Sequence, residues 1–215
     1  MTKRAPSGEN YAGELKALGR YQHWRRIWLA AAIASIGCLL LFVATAWTGG
    51  PVSWIKAAGV SLICAAIIGR LWCTLYIGGR KSGMVVTSGP YSIMRNPLYF
   101  FSAVGALGVG AQSGSLSAAL MFGALCVIAF QIVIRREERF LTGQFGADYQ
   151  DYLARVPRFL PNIRLFRDDP VLSVHPKRLY ATFLDGLFFF AALPAFAGVE
   201  YLQKTGAVPV FLRLY

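Results

Sequence analysis

The sequence has few residues that bind metals or carry out acid–base chemistry. Its only histidines, His23 and His175, lie far apart without ligand-like neighbours. The four cysteines lie inside apolar runs and form no CxxC pair: Cys38, Cys64, Cys73 and Cys126. These absences argue against a catalytic metal site and against a disulfide framework, so we interpret the cysteines as small buried thiols.

Charged residues are also scarce. They make up 15% of the chain, whereas hydrophobic residues make up 56% and the mean hydropathy is +0.49. A membrane-spanning helix needs about 20 largely apolar residues, and the apolar runs predict five such spans, at 27–47, 54–77, 98–111, 116–134 and 179–202. The first run is too long and begins too late for a cleavable signal sequence. The sequence therefore predicts an all-α, polytopic integral membrane protein.

The positive charge is confined to particular segments. Lysine and arginine number 22 against 10 acidic residues, a net charge of +12, yet the turns 48–53 and 112–115 contain no lysine or arginine. By the positive-inside rule, the N-terminus and the loops 78–97 and 135–178 are predicted to be cytoplasmic, with the C-terminal tail outside a bacterial inner membrane. Anionic membrane lipids account for this charge, so nucleic acid is not an expected partner.

The loop 78–97, GGRKSGMVVTSGPYSIMRNP, is not a plain polar connector. It is rich in glycine and serine, which permits close backbone approach to a ligand, but it also contains an apolar stretch around Val85. At its end, Pro97 suits the first turn of the third span and Asn96 is expected to cap that helix. Taken singly, these residues are explained as well by local structure as by ligand binding. Asn96 and Pro97 would form a helix cap, and Arg95 would extend its charged end to the membrane surface.

The segment 134–162, IRREERFLTGQFGADYQDYLARVPRFLPN, is predicted to continue the fourth span beyond the membrane. Glu137 and Glu138 fall just past the hydrocarbon edge, and Gly143 and Gly146 predict a break near Phe145. The next apolar residues recur at three- and four-residue intervals, which is typical of an amphipathic helix that Pro157 disturbs: Tyr149, Tyr152, Val156 and Phe159. An interfacial helix with surface ion pairs would also explain this pattern.

Together the two segments resemble the isoprenylcysteine carboxyl methyltransferase family, which includes phospholipid-methyltransferase-like bacterial and archaeal members. The family pattern is a TSGxY turn, an RHPxY helix start and, after a helical hairpin, the block EExxLxxxFGxxYxxYxxxVPR. The first part is matched by Thr87, Ser88, Gly89, Tyr91, Arg95, Pro97 and Tyr99. The second, more specific part is matched at ten positions: Glu137, Glu138, Leu141, Phe145, Gly146, Tyr149, Tyr152, Val156, Pro157 and Arg158.

The resemblance implies a membrane methyltransferase that uses S-adenosylmethionine without a Rossmann domain and acts on a lipophilic acceptor from the bilayer. The cofactor-binding residues that it implies are Gly83, Met84, Val85, Val86, Tyr91, Asn96, Pro97, Leu98, Tyr99, Glu137 and Glu138. The candidate catalytic residues are Arg95, Glu137 and Arg158. No metal is expected.

Two positions depart from the family pattern. Asn96 replaces the family's histidine, which keeps hydrogen-bonding capacity without a titratable ring. Val133, one helical turn before Glu137, stands where eukaryotic members have an arginine that meets the substrate. These changes leave the cofactor prediction intact and weaken the prenylcysteine interpretation. The sequence leaves open whether the methyl acceptor is a carboxylate, an amine or a thiol, and it leaves the oligomeric state unassigned.

We divide the chain into an N-terminal cytoplasmic segment (1–26), two transmembrane helices (27–77), a catalytic core (78–162), and a linker with the fifth span and tail (163–215). Two other functions stay open. An NADPH-dependent membrane reductase of the sterol-reductase type shares the proline-and-tyrosine helix start. A non-enzymatic membrane scaffold would use the small-residue spacings for helix packing: Gly105, Gly108, Gly110 and Gly114.

Overall fold

A computed structural model describes residues 40–77 and 85–215. The helices in these residues are α1 (Gly50–Ile77), α2 (Pro90–Ile93), α3 (Pro97–Ala111), α4 (Leu116–Phe145), α5 (Ala147–Arg155), α6 (Pro176–Leu187) and α7 (Ala192–Lys204). The strands are β1 (Val43–Thr45) and β2 (Leu212–Leu214), and two 3-10 turns lie at Ile163–Leu165 and Phe188–Ala191.

Three helical stretches in the described residues are long and apolar enough to cross a membrane: Gly50–Ile77, Leu116–Phe145 and Pro176–Lys204. They match the predicted second, fourth and fifth spans. The shorter apolar helix α3 matches the third. The structure thus confirms an all-α membrane protein. Residues 27–39 of the predicted first span lie outside the described residues, and Val43–Thr45 at its end form β1 instead of helix. Two of these three residues are β-branched, which favours an extended backbone.

Helix α3 packs between α1 and α4. The contact between α1 and α3 is close because Gly59 and Gly108 face each other. A Cβ atom on Gly108 would lie 2.6 Å from the carbonyl oxygen of Gly59. Gln112 Nε2 reinforces the contact by donating to the carbonyl oxygens of Lys56, at 3.1 Å, and Gly108, at 3.2 Å. Gly108, one of the predicted small residues, therefore serves helix packing in this structure.

The two strands join distant parts of the chain. Val43, Ala44 and Thr45 pair in parallel with Leu212, Arg213 and Leu214. The Thr45 hydroxyl donates to the carbonyl oxygen of Gly114 at 2.8 Å, and the Ser115 hydroxyl donates to that of Tyr215 at 2.8 Å. The C-terminal tail, β1 and the turn between α3 and α4 therefore meet at one end of the helices. The two family segments lie at the opposite end, where α3 begins and α4 ends.

Candidate functional site

The two family segments are hydrogen-bonded to each other. The backbone N–H of Arg95 donates to the carbonyl oxygen of Pro157 at 2.8 Å, and Asn96 Nδ2 donates to that of Arg158 at 3.1 Å. Pro97 occupies the first turn of α3, as predicted, and Asn96 is the N-cap residue, but its side chain makes no capping bond. The predicted side-chain cap is therefore wrong, because the amide is used to hold the second segment.

Residues beyond α5 return to hold the loop before α3. The Gly89 N–H donates to the carbonyl oxygen of Arg167 at 2.7 Å, and the Arg167 N–H donates to Ser92 Oγ at 3.0 Å. Two carboxylates add contacts: Tyr76 OH donates to Asp168, and Ser88 Oγ donates to Asp169 at 2.8 Å. The loop is thereby fixed by the segment that follows α5.

Glu138 forms an ion-paired centre between the segments. Its side chain is 10% exposed and lies 3.2 Å from Arg95 Nη1 and 2.6 Å from Arg158 Nη2. Arg158 Nε donates a second bond to the same carboxylate at 3.2 Å. A buried carboxylate that holds two guanidinium groups is expected to set the relative position of the segments that carry them.

A cavity of about 320 Å³ opens next to this centre. The predicted site residues that line it are Val85, Val86, Tyr91, Arg95, Asn96, Leu98, Tyr99 and Glu137. Three predicted residues are not among its lining: Pro97, Glu138 and Arg158. Gly83 and Met84 lie outside the described residues.

Sequence reasoning missed other lining residues: Ile77, Phe140, Leu141, Gln144, Phe145, Tyr149 and Tyr152. Helical spacing could have found several of them. Leu141 and Gln144 follow Glu137 by four and seven positions, so they share its face of α4. The alternative of an interfacial helix is not supported for Tyr149 and Tyr152, which are 4% and 3% exposed and turn into the protein.

Glu137 offers its carboxylate at the cavity wall. Tyr99 OH donates to Glu137 Oε2 at 2.9 Å, and the Tyr99 ring lies 4.7 Å, centroid to centroid, from that of Phe130. Glu137 itself is exposed, unlike its buried neighbour Glu138. An exposed carboxylate that borders a cavity can accept hydrogen bonds from a ligand without the desolvation cost of a fully buried charge.

Two buried polar atoms of cavity residues have no hydrogen-bond partner in the described part of the chain: Tyr91 OH and Arg95 Nε. Buried polar groups are normally hydrogen-bonded, so these donors indicate where polar atoms of a ligand could bind. Burial raises the pKa of Tyr91 well above its ordinary value. The phenol is therefore neutral near pH 7 and can donate a hydrogen bond, but it is a poor candidate for a general base.

The tyrosines of α5 form the floor of the same site. Tyr152 OH donates to the carbonyl oxygen of Tyr91 at 2.7 Å. Burial, followed by the neighbouring Tyr149, raises the pKa of Tyr152, and burial raises the pKa of Tyr149 to about 12. The arrangement combines apolar and aromatic walls, one exposed carboxylate and two unsatisfied donors, which suits an organic ligand with both cationic and polar groups.

Comparisons with known proteins give a family match and several relatives. The family model described as phospholipid methyltransferase matches residues 54–148. The cobalt-zinc-cadmium resistance protein CzcN of Cupriavidus metallidurans is 34% identical over 217 aligned residues, which cover 100% of both chains. The nickel-cobalt-cadmium resistance protein NccN of Alcaligenes xylosoxydans xylosoxydans is 33% identical over 194 residues, 90% of this chain and 80% of that protein.

A third relative matches a shorter part of the chain. The protein-S-isoprenylcysteine O-methyltransferase of Schizosaccharomyces pombe is 32% identical over 83 residues, 39% of this chain and 35% of that protein. No solved structure matches the chain significantly. The family model and the fission-yeast enzyme assign the sequence: the chain belongs to the isoprenylcysteine methyltransferase-like members of the phospholipid methyltransferase family, which indicates a membrane methyltransferase.

Proposed function

We propose that this protein transfers a methyl group from S-adenosylmethionine to a lipophilic acceptor at the cytoplasmic edge of a bacterial inner membrane. The observation that supports the proposal is the cavity of about 320 Å³ in which the two family segments meet beside Glu137. A volume of this size is typical of small-molecule sites.

The residues present fit the cofactor. Glu137 would accept hydrogen bonds from its ammonium or ribose hydroxyl groups, and the unsatisfied donors of Tyr91 and Arg95 would bind its polar acceptors. The faces of Tyr91, Tyr99 and Tyr149 would attract a sulfonium. Val85, Leu98 and Phe145 supply apolar walls for the adenine ring.

When bound, S-adenosylmethionine supplies a methyl group activated by a sulfonium. The protein's part is to align the acceptor with that group and to exclude water, so the scarcity of histidine is no obstacle. Tyr91, Tyr149 and Tyr152 are buried and surround the cavity, which keeps its inner end dry.

A lipophilic acceptor can reach this cavity from the bilayer, because the cavity lies where the apolar helix α3 begins and the apolar helix α4 ends. A carboxylate acceptor needs a fixed cation near the reacting oxygen. Val133, one turn before Glu137, supplies none, and Arg95, which lines the cavity, is already paired with Glu138. Arg70 lies over the ring of Phe189, 5.5 Å from its centroid, and is not among the cavity residues. We therefore propose an acceptor other than a prenylcysteine carboxylate.

The NADPH-dependent reductase is less well supported by the site. A reductase would need cations for the 2′-phosphate of its cofactor. Arg95 is the only lysine or arginine among the described residues that line the cavity, and it is paired with Glu138. The family model and the fission-yeast relative also name methyltransferases.

The acceptor class can be tested with purified protein and labelled S-adenosylmethionine. We would offer a prenylcysteine analogue, aminophospholipids and bacterial membrane extract in parallel, with Glu137→Gln as the matched impaired enzyme. We expect label in lipid of the extract or in the aminophospholipids, reduced in the variant. Efficient transfer to the prenylcysteine carboxylate alone would overturn the proposed acceptor, and no transfer in any arm would count against the proposed activity.

Both relatives that match along most of this chain are named for resistance to metal cations. We extend the proposal accordingly: methylation of a membrane component contributes to tolerance of cobalt, zinc or cadmium. In a host that lacks its own copy, the wild-type gene should improve growth on these metals and Glu137→Gln should not. If the wild-type and Glu137→Gln genes protect equally, metal tolerance does not depend on methyl transfer.

A further inference from the structure

Tyr152 borders a second cavity in addition to the candidate cofactor cavity. This cavity has a volume of about 200 Å³, and its polar lining comes from Thr87, Ser92, Arg155 and Arg167. The two arginines belong to different elements, the end of α5 and the segment that returns after it. Their convergence on one cavity is a feature that the proposed methyl transfer does not use.

Both arginines are anchored near the cavity. Arg155 Nε donates to the carbonyl oxygen of Asp151 at 3.2 Å, one turn earlier in α5. The backbone of Arg167 is bonded on both sides, to Ser92 Oγ through its N–H and to the Gly89 N–H through its carbonyl oxygen. The terminal nitrogens of Arg155 are left available for a ligand, and the guanidinium of Arg167 extends from a fixed backbone.

The positive charge of this cavity is not neutralised within the described part of the chain. No carboxylate there forms an ion pair with Arg155 or Arg167, whereas Arg95 and Arg158 share Glu138. Asp168 and Asp169 follow Arg167 directly, but they accept hydrogen bonds from Tyr76 and Ser88 and do not line the cavity. The cavity is therefore lined by two arginines without a carboxylate partner in the described residues, with Thr87 beside them.

We propose that this cavity binds a phosphate group. Paired guanidinium forks match the geometry of phosphate oxygens, and the Thr87 hydroxyl adds a polar contact, whereas the Ser92 hydroxyl already donates to the carbonyl oxygen of Gly89 at 2.6 Å. The volume suits one phosphate rather than a nucleotide. Two sources share this chemistry, the headgroup of an anionic lipid and free phosphate. Arg155 and Arg167 belong to the lysine- and arginine-rich segment 135–178, which is predicted to lie on the cytoplasmic side with its anionic lipids, and this favours the lipid.

The test is native mass spectrometry of the full chain in detergent, with three separate probes: short-chain phosphatidylglycerol, inorganic phosphate, and a short-chain diacylglycerol that lacks phosphate. Arg155→Gln and Arg167→Gln should each weaken phosphatidylglycerol binding roughly tenfold, the scale of a lost charge-assisted hydrogen bond. Arg164→Gln is the matched control, because Arg164 is exposed in the same returning segment and does not line the cavity.

The outcomes separate the two sources and do not depend on methyltransferase activity. Arginine-dependent binding of phosphatidylglycerol alone supports a lipid headgroup, and arginine-dependent binding of inorganic phosphate supports a soluble anion. All three arginines are exposed, so unfolding temperatures should stay close to wild type. The proposal is overturned if neither phosphate probe binds, if diacylglycerol binds as tightly as phosphatidylglycerol, or if Arg164→Gln loses as much affinity as the two cavity variants.

Discussion

At the scale of single residues, two adjacent glutamates have different surroundings. Successive residues of an α-helix point about 100° apart, so Glu137 and Glu138 cannot face the same partners. Glu137 borders the cavity and accepts a bond from Tyr99, whereas Glu138 is buried between Arg95 and Arg158. We infer that Glu137 serves the ligand and Glu138 serves the architecture around it.

Substituting each glutamate should separate these roles. Glu137→Gln should weaken S-adenosylmethionine binding by roughly 1–3 kcal/mol, the scale of a lost charge-assisted hydrogen bond, with little change in unfolding temperature. Glu138→Gln should lower the free energy of unfolding by up to about 3 kcal/mol, because it leaves two guanidinium groups unpaired. Calorimetry and thermal unfolding measure both. A large loss of affinity in Glu138→Gln with unchanged stability would reverse the assignment.

The buried tyrosines predict a loss of stability at high pH. The pKa of Tyr149 is raised to about 12, mainly by burial, against about 10 in an unfolded chain. The folded state therefore holds this proton more tightly than the unfolded state. The resulting stability is complete below pH 10 and is lost as the pH rises to about 12, by at most roughly 1.4 kcal/mol per pH unit.

Tyr149→Phe removes the titrating proton. Its unfolding temperature should therefore decline less steeply between pH 10 and pH 12 than that of the wild type. Differential scanning fluorimetry in a pH series would measure the difference. An equally steep decline in the two proteins would show that Tyr149 does not contribute to the loss.

At the scale of elements, the junction between α4 and α5 depends on one glycine. Gly146 has φ 56° and ψ −125°, a conformation that residues with a side chain rarely adopt. Gly143, which was also expected to mark the break, lies inside α4. The turn at Gly146 directs α5 back under the cavity, so that Tyr149 and Tyr152 reach it.

Two alanine substitutions test this turn. A Cβ atom on either Gly143 or Gly146 would meet no atom within 4 Å, so the comparison isolates the backbone. Gly146→Ala should destabilise the protein by roughly 1–3 kcal/mol, whereas Gly143→Ala should stabilise it by roughly 0.5–1 kcal/mol. Thermal unfolding of both variants is the measurement. If Gly146→Ala left the stability unchanged, the positive φ at this position would not be required.

The elements also show what the sequence could and could not predict. Hydropathy located the apolar helices α1, α3 and α4 and the stretch that α6 and α7 share, since a membrane span needs a continuous apolar run. It did not indicate the pairing of Val43–Thr45 with Leu212–Leu214, because short strands far apart in sequence carry no local signal. Likewise, the sequence did not predict that Glu138 pairs with Arg95 and Arg158. These ion pairs depend on how the two segments pack, which the periodicity of a single helix does not reveal.

At the scale of the whole molecule, the two ends of the helix bundle in the described residues carry different features. Thr48 and the C-terminal tail belong to one end, and the cavity with Ala147 belongs to the other. We expect the cavity end to be cytoplasmic because the lysine- and arginine-rich segments lie there. The soluble cofactor and the lipophilic acceptor would then reach the same cavity from different phases.

Cysteine labelling tests this orientation. Thr48 and Ala147 are both exposed, so each can carry a single cysteine in a variant that lacks the native thiols. An impermeant maleimide should label Thr48→Cys in intact cells and Ala147→Cys only after the inner membrane is opened. Labelling of Ala147→Cys in intact cells would contradict the orientation.

The most direct test of the central claim is the binding of S-adenosylmethionine and NADPH to the purified protein, measured by calorimetry under the same conditions. We expect saturable binding of S-adenosylmethionine, weakened in Glu137→Gln, and no comparable binding of NADPH. Binding of NADPH with no heat from S-adenosylmethionine would contradict the claim that the cavity beside Glu137 is the cofactor site of a methyltransferase.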